Sequence, residues 1–166
     1  VTIANGIINA DGNSGVLANP GANQITLERL TIQNGTEGIY LDTVHDVTIK
    51  DCVVVNNDNG VRVENSYNVC IEQTTAQENT IRGFSLESSS TCAILESKAI
   101  NTGIDNTTIF GADANVYGFV ADQCYGTIFE RCIANATQNV SATANETVVA
   151  GFALLGTGKQ CNKIIE

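Results

Sequence analysis

The sequence predicts an all-β protein, a single-stranded right-handed parallel β-helix, or solenoid, of about six coils of 22–24 residues with two loop insertions. The first observation behind this prediction is a short glycine-led phrase, in which apolar residues alternate with polar ones. It recurs at Gly15, Gly38, Gly60, Gly83, Gly118 and Gly151. These glycines are 23, 22, 23, 35 and 33 residues apart. A period in the low twenties that carries strand-like alternation is typical of a β-solenoid, in which each repeat forms one coil.

A second phrase lies between the glycines and keeps the same period. It occupies residues 47–52, 69–74, 93–98 and 127–132. In this phrase two apolar residues lie two positions apart, a polar break follows, and a second apolar pair comes next. This order indicates a strand that bends and then continues. Each coil therefore contains about three short strands, which stack in parallel on the next coil at roughly 4.8 Å. We assume right-handed coiling, because crossovers between parallel strands almost always have that hand.

Asparagines between the two phrases mark a predicted corner, and they also locate two insertions. The corner residues are Asn34, Asn56, Asn79, Asn101 and Asn135. Asparagine tolerates the left-handed backbone of a tight bend, so we interpret this column as structural. The distance from asparagine to the next glycine is 4 residues in three coils, then 17 and 16. Residues 102–117 and 136–150 are therefore predicted to leave the solenoid as neighbouring loops.

The composition favours one elongated domain, residues 1–166, that forms a segment of a longer solenoid. Both ends of the sequence match the interior of a coil, and no stretch is apolar enough to span a membrane. The net charge of −10 makes nucleic acid and anionic membranes unfavourable partners. A glycan or a protein surface is compatible with that charge. A homo-oligomer formed through the solenoid ends or a side face is open as well.

Six cysteines raise the question of disulfides or a metal site, yet no CxxC spacing occurs. Cys52 and Cys132 fall at the same repeat position, where a small apolar side chain suits the interior. We therefore expect reduced, packed thiols, with no metal and no cofactor. The single histidine, His45, is expected at a surface corner, because it shares its repeat position with Tyr67 and Tyr125.

Four carboxylates follow their glycines by four residues and are expected to form one outward column. They are Asp42, Glu64, Glu87 and Asp122. Like charges at this spacing repel by about 1 kcal/mol per neighbouring pair even in water, so something should compensate them. The column can be a solvated ridge relieved by Arg62, a calcium site or a pair of glycosidase carboxylates. We expect the ridge, since one carboxylate per coil does not supply the six or more oxygens that calcium prefers.

The two insertions are the strongest geometric signal for a binding surface, because loops on a rigid solenoid commonly carry binding groups. Aromatic and apolar residues of one loop would lie beside amides and hydroxyls of the next, at the upper end of the acidic column. The predicted binding residues are Ile109, Phe110, Tyr117, Asp122, Thr143, Asn145 and Thr147. The same loops can equally be passive covers over a corner.

The recurring pattern G-φ-x-φ-D/E-x-S/C, followed by φ-x-φ-x-x-C and an asparagine, resembles the parallel β-helix repeat of the pectate-lyase-like superfamily. Within it, residues 118–124 and 128–135 look like uncharacterised β-helix proteins of amoeba-infecting giant viruses and amoeba-resident bacteria. Polygalacturonase-type relatives carry paired aspartates and a Gly-His-Gly turn, and the sequence has neither. The resemblance therefore implies the fold and transfers no catalytic residue.

Two classes of function follow. The first is a non-catalytic structural or recognition module of a surface, fibre or virion protein, which binds a glycan or a protein through its insertions. The alternative is a polysaccharide hydrolase or lyase that uses the outward column of Asp42, Glu64, Glu87 and Asp122. The lack of a recognisable catalytic set favours the first class.

Overall fold

A computed structural model describes residues 1–103, 115–138, 148–156 and 162–166, and within these ranges it contains strands and no helix. The strands are β1 (Thr2–Asn9), β2 (Ser14–Ala18), β3 (Asn23–Gln33), β4 (Glu37–Asp42), β5 (His45–Lys50), β6 (Val53–Val55), β7 (Asn59–Glu64), β8 (Tyr67–Glu72), β9 (Thr75–Gln77), β10 (Arg82–Glu87), β11 (Ala93–Leu95), β12 (Lys98–Ile100), β13 (Val116–Asp122), β14 (Ile128–Glu130), β15 (Ile133–Asn135), β16 (Val149–Leu155) and β17 (Lys163–Ile165). The described chain also holds no helix that could span a membrane.

The strands form a right-handed parallel β-helix, as predicted. A six-stranded sheet stacks the glycine-led strands in the order β16-β13-β10-β7-β4-β2. An eleven-stranded sheet stacks the other strands, and it turns a corner within β3, whose first half pairs with β5 and second half with β6. Every named strand pair is parallel, because the chain always travels round the coil in the same direction.

The glycines recur because neighbouring coils approach closely at that position. A Cβ atom on Gly60 would lie 2.4 Å from the carbonyl oxygen of Gly83, and one on Gly83 would lie 2.6 Å from that of Gly118. Real Cβ atoms do not approach an oxygen so closely, and a backbone oxygen cannot rotate away as a side chain can. The coils can therefore stack at this distance only if the position is a glycine.

The core is a set of apolar columns that run along the solenoid. Three phenylalanines stack face to face near its later coils: Phe84 on Phe119 and Phe119 on Phe152, with ring centroids 4.8 Å apart in each pair. Phe129 packs against this stack at 5.8 Å from Phe119. Such offset aromatic contacts add to the stability that burial of the rings supplies.

The five described cysteines are free. Cys52, Cys92 and Cys124 belong to the core and Cys132 packs against it, whereas Cys70 alternates with the buried Val69 and Ile71 and faces outward. Cys52, Cys92 and Cys124 are buried, while Cys70 and Cys132 are half-buried. Burial raises the pKa of the Cys92 thiol to about 11, which keeps it protonated and unreactive. Cys161 lies outside the described residues.

The predicted asparagine column is partly wrong. Asn34, Asn56 and Asn101 occupy one corner with φ of 53° to 60°, in the left-handed region. Asn79 lies one position later in the register and Asn135 one position earlier, at the end of β15. The prediction used only the distance from each asparagine to the next glycine. That distance does not show whether the asparagine occupies the bend itself or the position beside it.

Asn79 instead belongs to a buried hydrogen-bond ladder with Asn57. The backbone N–H of Gly35 donates to Asn57 Oδ1 at 2.8 Å, and that of Asn57 donates to Asn79 Oδ1 at 3.0 Å. The ladder satisfies backbone donors at a corner that lacks strand pairing. Each inward asparagine therefore ties its coil to the preceding one.

The described ends of the two predicted insertions lie within the coils. Thr102 and Gly103 are buried, and Tyr117 and Ala150 are paired in strands β13 and β16. Residues 104–114 and 139–147 lie outside the described part of the chain.

Candidate functional site

The outer face of the six-stranded sheet carries three columns of mostly polar side chains. The first column precedes each glycine by one residue, and the other two follow it by two and by four. From β4 to β13 the columns read Glu37, Asn59, Arg82, Tyr117; then Tyr40, Arg62, Ser85, Val120; and then Asp42, Glu64, Glu87, Asp122. Parallel in-register stacking thus turns residues 22 or more positions apart into direct neighbours.

The third column is the predicted acidic column, and its register is as predicted. Asp42 pairs with Glu64, Glu64 with Glu87, and Glu87 with Asp122. The four carboxylates are half-buried. No group of three or more His, Cys, Asp or Glu within the described ranges could hold a metal ion, these carboxylates included.

Arg62 forms ion pairs with two carboxylates of this column, Glu64 and Glu87, and with Glu37 of the first column. Its Nη1 lies 3.2 Å from Glu37 Oε1, its Nη2 contacts Glu64 Oε1, and the same nitrogen lies 3.8 Å from Glu87 Oε2. The guanidinium also lies over the ring of Tyr40, 5.3 Å from its centroid. The predicted relief of the column by Arg62 is therefore confirmed.

Tyr40 and Arg82 complete the network on either side of Arg62. The Tyr40 hydroxyl donates to Glu64 Oε2 at 2.6 Å, and this bond raises the pKa of Tyr40 to about 12. Arg82 Nη1 contacts Glu87 Oε1 and donates to Ser85 Oγ at 3.3 Å. The Ser85 hydroxyl donates to the same Glu87 oxygen at 2.9 Å.

The two ends of this network shift carboxyl pKa values in opposite directions. Burial, opposed mainly by Arg62, raises the pKa of Glu37 above its usual value. Burial would also raise the pKa of Glu87, but Arg82, the Ser85 hydroxyl and Arg62 together hold that pKa below its usual value. As the pH falls, Glu37 therefore takes up a proton before Glu87 does.

A cleft of about 130 Å³ lies at the upper end of the face, beside strand β13. It is lined by Arg82, Glu87, Asn115, Tyr117, Val120, Asp122 and Leu155. Tyr117 is only 4% exposed, and its hydroxyl makes no hydrogen bond with any described residue. The carboxylate of Asp122 likewise has no hydrogen-bond or ion-pair partner in the part of the chain that is described. The cleft thus presents two polar groups whose hydrogen-bonding capacity is unused.

Among the predicted binding residues, the structure brings Tyr117 and Asp122 together in this cleft. Tyr117 belongs to strand β13 and is buried, so it is not part of an exposed loop platform. The other predicted binding residues lie outside the described residues: Ile109, Phe110, Thr143, Asn145 and Thr147.

Sequence reasoning missed the first column of the face. Glu37 and Arg82 directly precede a glycine, a position that the repeat pattern treats as a turn. The available signal was that this position is polar in every coil from Ser14 to Arg82 and then becomes Tyr117. The structure shows that this position begins the strand and points outward.

A larger cavity of about 490 Å³ lies at the N-terminal end of the core, between β2 and β3. Its lining is apolar apart from backbone, two asparagines and the terminal amine, and includes Val16, Leu17 and Ile25. None of the described residues that line it has an ionisable side chain.

Comparison with known proteins places the chain in a family. The family described as periplasmic copper-binding protein (NosD) matches residues 1–148. The chain belongs to the NosD family. No curated protein matches the NosD-family chain described here.

Solved structures show the same fold at low sequence identity. The A-module of the Azotobacter vinelandii mannuronan C-5 epimerase AlgE6 superposes with a TM-score of 0.72 at 13% identity, over 99% of this chain and 50% of the epimerase chain. The A-module of AlgE4 from the same organism gives 0.61 at 11% identity, over 99% and 57%. The enzymatically active domain of bacteriophage CBA120 tailspike protein 2 gives 0.59 at 12%, over 98% and 28%.

The chain spans about half or less of the length of most of these structures, and identities this low show the fold alone. They agree with the predicted pectate-lyase-like β-helix architecture. The narrower likeness to giant-virus and amoeba-associated proteins has no support in these comparisons.

The copper in the family description does not fit the described residues. Copper sites use histidine, cysteine and methionine side chains that converge on one point. This chain has no methionine and one histidine, and that histidine stacks on Tyr67 with ring centroids 4.9 Å apart at a surface corner. The buried cysteines Cys52, Cys92 and Cys124 have raised pKa values because burial disfavours the thiolate, which is the form that binds metal.

Proposed function

We propose that this NosD-family chain is a non-catalytic recognition module that binds a glycan on the outer face of its six-stranded sheet, beside the two insertions. The carrying observation is the cleft next to Arg82, where the side chains of Tyr117 and Asp122 have no polar partner among the described residues. Hydroxyl, carboxylate and guanidinium groups beside apolar Val120 and Leu155 suit a sugar ring, which has polar edges and apolar faces.

The rest of the face supports recognition more than catalysis. Glu64 and Glu87 are held by guanidinium groups, and Glu87 has a lowered pKa. A general acid must hold a proton near the working pH, and a carboxylate fixed by an arginine loses it too readily. The arginine-paired carboxylates instead hold the side chains of this face in place, so these side chains lose less conformational entropy when a ligand binds.

The fold neighbours are compatible with this proposal. A mannuronan epimerase and a phage tailspike use the same scaffold, and we extend from them to this chain only a general association with polysaccharides, without the uronate class of mannuronan. In our proposal the insertions, with Ile109, Phe110, Thr143, Asn145 and Thr147, extend the cleft. We also propose that the module is displayed on a virion or a cell surface.

A polysaccharide hydrolase or lyase is the second candidate, and one observation favours it. Glu37, which is 9% exposed, has a raised pKa, while Glu87, joined to it through Arg62, has a lowered one. Two carboxyl groups whose pKa values are shifted in opposite directions are typical of a general acid and a general base in one active site.

A screen against plant, bacterial and surface glycans that reads both binding and release of reducing ends distinguishes the two candidates. We expect saturable binding that weakens in Tyr117→Phe, without any release of reducing ends. Release that disappears in Glu37→Gln, Glu64→Gln or Glu87→Gln would instead establish the enzyme. Full-strength binding in Tyr117→Phe would move the recognition surface away from the cleft.

A further inference from the structure

The charge of the outer face restricts which glycans it can accept. Its carboxylates are Glu37, Asp42, Glu64, Glu87 and Asp122, and its guanidinium groups are Arg62 and Arg82. Five acidic groups against two basic ones leave three formal negative charges on the face, in a chain whose net charge is −10. The chains of a polyuronate carry one carboxylate per sugar, so such a face repels them.

Asp122 differs from the other members of the acidic column. Asp42 accepts hydrogen bonds from Thr43 Oγ1 at 2.8 Å and from Asn65 Nδ2 at 3.2 Å. Glu64 and Glu87 are paired with arginines. Asp122 alone has no side-chain partner among the described residues, although it is half-buried and lines the cleft. A half-buried carboxylate is stabilised when a cation or a hydrogen-bond donor binds it, so Asp122 is suited to a ligand group of that kind.

The remaining polar groups of the cleft fit the hydroxyls of the same ligand. The Tyr117 hydroxyl can donate and accept, and it belongs to a side chain that is 96% buried in a fixed position. Arg82 Nε is buried and has no hydrogen-bond partner within the described ranges, while Nη1 of the same guanidinium contacts Glu87. Arg82 lines the cleft, so its guanidinium can donate to a ligand oxygen there.

From this arrangement we infer that the cleft binds a sugar unit that carries a free, protonated amino group. The ammonium pairs with Asp122, the hydroxyls bond to Tyr117 and Arg82, and the ring lies against Val120 and Leu155. The inference rests on the proposed glycan recognition and names its ligand class as amino sugars, as opposed to uronic acids.

Isothermal titration with three oligosaccharides of equal length tests this ligand class: glucosamine, N-acetylglucosamine and galacturonate oligomers. At about pH 6 the free amine is protonated. We expect the glucosamine oligomer to bind most tightly, the acetylated one to bind about tenfold more weakly, and the galacturonate one not to bind. Asp122→Asn and Tyr117→Phe should each weaken the glucosamine oligomer about tenfold, with melting temperatures unchanged.

Asp51→Asn is the matched control, because it removes the same charge from an exposed corner away from the outer face. It should leave the affinity unchanged. Equal losses in Asp51→Asn and Asp122→Asn would show non-specific attraction to an acidic protein and overturn the inference. Equal binding of the acetylated oligomer with no effect of Asp122→Asn would overturn the amino-sugar class while leaving glycan recognition in place. Absence of binding to every glycan in the screen would overturn the proposed function itself.

Discussion

At the residue scale, ion pairs with arginines reduce the repulsion within the acidic column. Four carboxylates at the spacing of adjacent coils would repel one another, yet Arg62 and Arg82 reach three of the carboxylates on this face at once. The side chains of Glu87 and Arg82 are 28% and 29% exposed, so water screens their attraction only partly. The pairs therefore stabilise the fold more than fully exposed ion pairs do.

Replacing Glu87 by glutamine should lower the stability at neutral pH by about 1–2 kcal/mol, because it removes a charge-assisted hydrogen bond to Arg82. The folded-state pKa of Glu87 lies below the ordinary 4.5, so its contribution is present above that value and is lost as the pH falls through the lowered pKa. The melting temperatures of the variant and the parent should thus converge in acid. Asp122→Asn changes a neighbour in the same column that has no ion pair within the described part of the chain, and it should show no such difference in melting temperature at any pH.

At the element scale, the stacking of strands in the six-stranded sheet requires glycine at one position of each repeat. The glycines from Gly15 to Gly118 each lie against the carbonyl oxygen of the glycine in the next coil, as Gly60 does against Gly83. The buried asparagine ladder beside it then satisfies the backbone at the corner. The strands are therefore held together by backbone approach as much as by burial of apolar side chains.

Gly60→Ala should destabilise the protein by about 1–3 kcal/mol, since its Cβ would meet the Gly83 carbonyl oxygen at 2.4 Å. The matched control is Gly6→Ala in β1, where the nearest atom lies 3.9 Å away, at ordinary contact distance. Urea unfolding of both variants measures the difference. Equal stabilities would mean that the coils can separate locally without loss.

At the scale of the whole molecule, the long, narrow core determines the state of the thiols. Cysteines occupy positions that aliphatic or small polar residues take in other coils, and Cys124 lies in the same column as Ser66 and Ser89. Apolar surroundings raise thiol pKa values and leave the cysteines inert. The solenoid therefore does not depend on disulfides among its described residues.

Alkylation followed by mass spectrometry should find six modified thiols in the denatured, unreduced protein. In the folded protein the half-buried Cys70 and Cys132 should react first, and Cys92, whose pKa is raised to about 11, should react among the last. Two or more thiols protected by a disulfide would contradict this prediction and would indicate an oxidising compartment.

The sequence alone determined the architecture, because the period of the glycines and the strand-like alternation are local properties that stacking preserves. It also determined the acidic column and the position of His45, since residues at equal distances from their glycines become neighbours. The sequence also suggested that Arg62 relieves this column, but only the tertiary structure revealed its contacts with Glu37 and Tyr40 and the cleft at Tyr117. Those depend on where long side chains reach across coils and on which residue begins each strand, and a repeat pattern fixes backbone register without fixing side-chain contacts.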